Sequence, residues 1–285
     1  MLQRLLILVL FAGFGISAKA QVGLFEKPEA SRKMKKTENP YENRRDEKGR
    51  RQGEWMRFHP NGKPAYKARF KDDQPIDTLT RYYKNGEKFV EIVFEEETNR
   101  GEVKFFSEQG DLLAEGFYLN MQKDSTWRFY DEAGNLKSKE MYQFDKREGE
   151  SRVFFDSGRL AAVAHYEKGK KQGVEKRFYP DGDLRVIVNY EDGELNGPYS
   201  VFFENGQKEI EGQYTDNMRD GNWVFYDARG NKRFTLVFEK GELQNEDLLN
   251  EMEREEFRRY EENRKRLKDP ENFQGRPEEF IRNSN

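Results

Sequence analysis

Glycine recurs every 24 residues through the middle of this chain, at Gly62, Gly86, Gly110, Gly134, Gly158, Gly182, Gly206 and Gly230, without an insertion or a deletion. A fixed period of that size marks a repeat architecture, in which each short unit buries its apolar face only against its neighbours. Two more series keep the same register. Phe58, Tyr82, Phe106, Tyr130, Phe154, Phe178, Phe202 and Tyr226 form one. Phe70, Phe94, Tyr118, Tyr142, Tyr166, Tyr190, Tyr214 and Phe238 form the other. A second glycine slot holds Gly53, Gly101, Gly149, Gly173, Gly197 and Gly221, with Asp77 and Ser125 as its departures.

Each unit reads as a β-hairpin. In Phe178-Tyr179-Pro180-Asp181-Gly182, proline pre-sets φ at the first corner and glycine accepts positive φ at the last. His59-Pro60-Asn61-Gly62 repeats that chemistry. After the turn the period is two, which puts Leu112, Ala114, Gly116 and Tyr118 on one face and charged residues such as Lys137 and Lys139 on the face that meets water. Polar connections such as Glu167 to Gln172 lead from unit to unit, and a near twin, Glu47 to Gln52, suggests a half repeat beginning near Asp46. The expected fold is all-β: an elongated antiparallel sheet of about eight stacked hairpins over residues 46–244, with sixteen strands spanning roughly 75 Å at ~4.8 Å each.

Composition agrees with so thin a core. The 285 residues are 37% charged and only 34% hydrophobic, yet 14% are aromatic, too many for a solvated polymer. Zero cysteines exclude disulfides and thiolate chemistry, and two histidines, His59 and His165, leave little for imidazole catalysis or metal binding. A net charge of −3 speaks against general nucleic-acid binding. No phosphate-binding loop, dinucleotide fingerprint, zinc-protease motif or nucleophile elbow is present. The expectation is a binding scaffold, not an enzyme, with no cofactor and no metal.

The ends differ from the body. Leu5 to Ala18 is an uncharged apolar run followed by Ala18-Lys19-Ala20, which reads as a signal peptide over 1–20 and implies export to the periplasm or beyond. Residues 21–45 form a charged linker, the one part whose basic excess suits contact with an anionic membrane surface. Leu249, Met252, Phe257, Tyr260 and Leu267 lie at helical spacing, so residues 245–268 are expected to form an amphipathic helix. Asn245 would cap its start, and the helix would cap the last hairpin or recruit a partner; residues 269–285 form a tail.

The signature Gly221-Asn222-Trp223-Val224-Phe225-Tyr226 with Gly230, and Tyr190-Glu191-Asp192-Gly193, resembles the bacterial MORN-repeat variant family over about residues 46 to 244. The second unit departs from it, with Asp77 for glycine, Lys88 for leucine and Glu95-Glu96-Glu97 after the strand, and is expected to be looser. The resemblance implies the repeat fold. It also implies antitoxin-like binding of a protein, as in some relatives, or contact with anionic lipid, as suggested for others. Within the repeats, one variable slot holds Trp55, Leu79, Val103, Trp127, Ser151, Glu175, Tyr199 and Trp223. Its tolerance of polar residues suggests partial exposure, which makes Trp55, Trp127, Tyr199 and Trp223 the candidate binding residues beside a packing role. The expected partner is an unidentified protein of the cell envelope. A carbohydrate or cell-wall polymer stacked on the tryptophans is the alternative.

Overall fold

A computed structural model describes residues 43–96, 98–245 and Arg258. The expected targeting segment, most of the basic linker, the tail and, apart from Asn245 and Arg258, the C-terminal helix lie outside the described residues. Arg258 itself is helical and exposed.

Among the described residues eighteen antiparallel strands form one sheet in which each full-length strand pairs with the next in sequence. The eight hairpins are β1 (Gly53–Phe58) with β2 (Pro64–Lys71), β3 (Gln74–Tyr82) with β4 (Lys88–Phe94), β5 (Arg100–Phe106) with β6 (Leu112–Leu119) and β7 (Gln122–Tyr130) with β8 (Leu136–Gln143), then β9 (Lys146–Phe154) with β10 (Leu160–Glu167), β12 (Gly173–Phe178) with β13 (Leu184–Glu191), β14 (Glu194–Phe202) with β15 (Lys208–Thr215) and β16 (Met218–Tyr226) with β17 (Lys232–Glu239). Two short strands raise the count from sixteen: β11 (Lys170–Lys171) precedes β12 on the same side of β10, and β18 (Glu242–Leu243) follows β17. A half unit at the N-terminal end is also present, where Arg45 bridges Arg51 around a turn from Asp46 to Gly49.

The glycines of the 24-residue series close one end of each hairpin. Gly62, at φ +84°, donates its N–H to the His59 carbonyl, and Gly182, at +107°, does the same to Tyr179. At the opposite end the unit-to-unit connections are hairpin turns of a tighter kind. Seven pairs, among them Asp72-Asp73, Phe144-Asp145, Lys168-Gly169 and Asp216-Asn217, have positive φ at both residues, the type I′ geometry whose twist matches the flanking strands. The N–H of the second turn residue donates to a carbonyl 22 positions earlier: Asp73 to Arg51, Asp145 to Lys123, Gly169 to Arg147, Gly193 to Lys171, Asn217 to Leu195 and Gly241 to Arg219. This ladder ties each unit to the one before it and offsets the strain of left-handed backbone at Phe144 and Lys168.

The second glycine slot sets a bulge near the start of each first strand. Asp77 and Ser125 hold the same left-handed φ, +63° and +59°, as Gly53 and Gly221, so both departures keep the backbone. Gly101 is the one that does not: β4 and β5 pair without a register shift, and the two residues a bulge would absorb lengthen the turn, where Glu95 meets Arg100 at 2.7 Å.

Alternation buries one face. Val90, Ile92, Val103, Phe105, Ala114 and Tyr118 lie inward across β4, β5 and β6. A second bulge modifies the expected period at the other end of the hairpin. Ala161 and Ala162 are both buried though adjacent in β10, and the register jumps there and at the matching points of other units. The jump sets Leu112 opposite Phe106, not in line with Ala114. Directly opposed residues share a face, so Leu112 joins the outer one, a correction to the simple period-two reading.

Asn245 was expected to begin a helix. Its side chain instead serves the edge of β17: Oδ1 accepts the Val237 N–H at 2.8 Å and Nδ2 donates to the Thr235 carbonyl at 2.9 Å. Asn43 does the like at the other edge, its Oδ1 accepting the Met56 N–H at 2.8 Å. Side-chain amides thus stand in for a further strand at both margins of the sheet.

Candidate binding surface

The variable slot faces the core. Trp55, Trp127 and Trp223 are 4%, 0% and 2% exposed, which corrects the expectation of accessible indoles, and Tyr199 is half-buried between Tyr214 and Trp223 at centroid distances of 5.5 and 5.3 Å. The reason is alternation: Trp127 is two residues from buried Phe129, on the same side of β7. Its N–H donates to the Phe117 carbonyl at 3.0 Å. Buried on this face, the indoles are unavailable for stacking on a sugar.

Polar residues in this slot are buried, not exposed. Glu175 is buried between Lys171, at 2.6 Å, and Arg177. Although burial alone would raise its pKa, these two cations hold it down to about 2. Ser151 is buried beside Glu140 on β8, and Glu140 accepts from Tyr142 at 2.6 Å and pairs with Arg147 at 3.0 Å. Lys123 lies buried with its ammonium over the rings of Trp127, Phe129 and Tyr142 at 4.9, 5.1 and 4.7 Å. Burial pushes its pKa down to about 8, against the pull of the Glu140 carboxylate.

The histidines carry no site. His59 bonds the Tyr82 carbonyl at 3.0 Å, and His165 is exposed 4.0 Å from Glu167. Among the described residues no cluster of three metal-ligating side chains occurs.

The outer face is where the sheet presents a pattern. The invariant series from Phe58 to Tyr226 is half-buried throughout. Phe106 follows inward-facing Phe105, which turns it outward, and the Tyr130 hydroxyl donates to the carboxylate of Glu115 at 2.8 Å on this same side. Register sets a leucine opposite each central aromatic: Phe106–Leu112, Tyr130–Leu136, Phe154–Leu160 and Phe178–Leu184. Lysine replaces leucine on both flanks, at Lys88, Lys208 and Lys232. The apolar stripe is therefore confined to the middle of the sheet.

Two residues back along the strands runs a row of cations. Arg128 stands opposite Lys139, Lys139 opposite Arg152, and Val163 links Arg152 to Lys176. Directly opposed like charges destabilise a sheet. Glu115 relieves Arg128 at 3.6 Å and Glu150 relieves Arg152 at 2.6 Å. Beyond that row, Met141 and Val174 are 45% and 47% exposed on the same face. Sequence reasoning missed this surface because strict alternation put Leu112 on the face of Ala114 and Tyr118, yet the leucines limited to four units were a readable signal.

The repeat pattern has a known counterpart. Residues 51–72, 100–120, 123–143, 171–192 and 195–216 match the family model of the MORN repeat variant. Five of the eight hairpins are MORN repeat variants. Between them the matches fall on first-strand and second-strand segments alike, so the MORN-variant units coincide with the hairpin meander. No curated protein matches the chain. Among solved structures, a chain of the TcdB2-TccC3-TEV complex is 10% identical, with a TM-score of 0.19, over 62% of this chain and 12% of its own length. A chain of the Photorhabdus luminescens Tc holotoxin pore is likewise 10% identical, with a TM-score of 0.18, over 62% of this chain and 12% of that one. At those scores the likeness carries no structural argument, and this chain corresponds to about an eighth of the length of either.

Proposed function

We propose that this chain is a non-catalytic, exported repeat scaffold that binds another protein of the cell envelope through the outer face of its sheet. The observation that carries the reading is the apolar stripe of four aromatic–leucine pairs beside a row of like charges. Contiguous apolar surface rimmed by charge is a mark of interaction sites, and repeat sheets present long surfaces of this kind. The five MORN repeat variants support a scaffold role, and the apolar run before Ala18-Lys19-Ala20 supports export. The carbohydrate reading depended on accessible tryptophans and has no such support on this face.

Affinity capture from envelope extract tests the proposal. The wild-type chain should recover a stoichiometric partner that Phe154→Ser and Phe178→Ser variants lose while keeping the wild-type far-UV spectrum. Retention of the same partner by both variants would overturn it.

A further inference from the structure

We infer that the outer face accepts an acidic amphipathic helix laid across the strands. This rests on the outer-face reading above and names the chemistry of the partner. Spacing is the first argument. Successive hairpins are two strands apart, about 9.6 Å, while a helix advances about 10.5 Å in seven residues. A helix with one apolar residue per heptad therefore meets one aromatic–leucine pair after another. The four pairs cover eight strands from β5 to β13, a run of about 34 Å at the usual strand spacing, which a helix of about 22 residues spans.

Charge is the second. Arg128 and Tyr130, Arg152 and Phe154, and Lys176 and Phe178 are each two residues apart on one strand, about 7 Å. A helix about 10–12 Å broad reaches about 5–6 Å to either side of its axis, so one seated on the stripe brings a flank to within about 1–2 Å of the cations, a gap that their long side chains close. Glutamates on that flank would add to Glu115 and Glu150 in neutralising the opposed Arg128, Lys139 and Arg152, which the sheet holds together at a cost. An added β-strand is a poorer occupant, because Asn43 and Asn245 already engage the outward backbone groups of Met56, Val237 and Thr235 at the two margins.

The test uses the full chain and a fluorescein-labelled 28-residue alanine-based helix carrying leucine every seventh position and glutamate along one flank, read by fluorescence anisotropy. The expected result is saturable binding that weakens at least tenfold for a Lys139→Glu, Arg152→Glu variant and is lost for Phe154→Ser. A lysine-flanked twin of the peptide should prefer the charge-reversed variant. Binding of the glutamate peptide that is absent, or equal for wild type and the charge-reversed variant, overturns the inference. So does retention on phosphatidylglycerol vesicles without peptide binding. If the peptide fails while Phe154→Ser still abolishes capture of the envelope partner, the helix is wrong and the outer face stands.

Discussion

The indole of Trp127 lies so close to Gly116 that a Cβ added there would stand 2.5 Å from the ring. Trp223 and Gly212 repeat the relationship at the same distance. Large rings on a first strand thus fill the space that glycine leaves on the strand before. Gly116→Ala should therefore destabilise the chain by about 1–3 kcal/mol through overpacking. Adding Trp127→Leu should recover part of that loss, giving a non-additive double-mutant cycle. Urea denaturation followed by tryptophan fluorescence and circular dichroism checks it, and additivity would contradict the close approach.

Lys123 sets a second expectation. Burial lowers its pKa to about 8 in the fold, against about 10.4 for an unfolded lysine. Between those values the unfolded chain binds the extra proton, so the Lys123 contribution to stability rises with pH from about 8 to 10. Below that window the fold carries the full penalty of a buried charge. Lys123→Met should raise the denaturation midpoint at pH 7, and the gain over wild type should shrink by pH 9.5. A gain that is constant across those pH values would refute the shift.

The margins of the sheet make a third case. Asn245→Ala strips the side-chain partners from the Val237 N–H and the Thr235 carbonyl, and Asn43→Ala does so for the Met56 N–H. Each lost bond is expected to cost about 0.5–1.5 kcal/mol. The double variant should also self-associate through its freed edges. Light scattering behind size exclusion should show mass rising with concentration for the variant and a constant mass for wild type.

Most of the hairpin architecture was legible because glycine at positive φ has few substitutes: Gly62 and Gly182 mark their turns directly. The type I′ turns were not, since Phe144-Asp145 and Lys168-Gly169 read as ordinary connecting residues until the ladder to Lys123 and Arg147 is seen. The variable slot misled for a physical reason. Glu175 suggested exposure, yet Lys171 and Arg177 let a carboxylate replace an indole inside the core. The outer stripe stayed hidden because a bulge sets Leu112 against Phe106, and strict alternation assigns it to the opposite face.

Lysine acetylation with and without the captured partner tests the outer-face account most directly. Lys139 and Lys176 lie in the cationic row, whereas Lys168 and Lys240 sit on the turns at the sheet's end. The account expects the partner to protect Lys139 and Lys176 and to leave Lys168 and Lys240 reactive. Protection of the turn lysines, with Lys139 and Lys176 modified as freely as in the unbound chain, would contradict it.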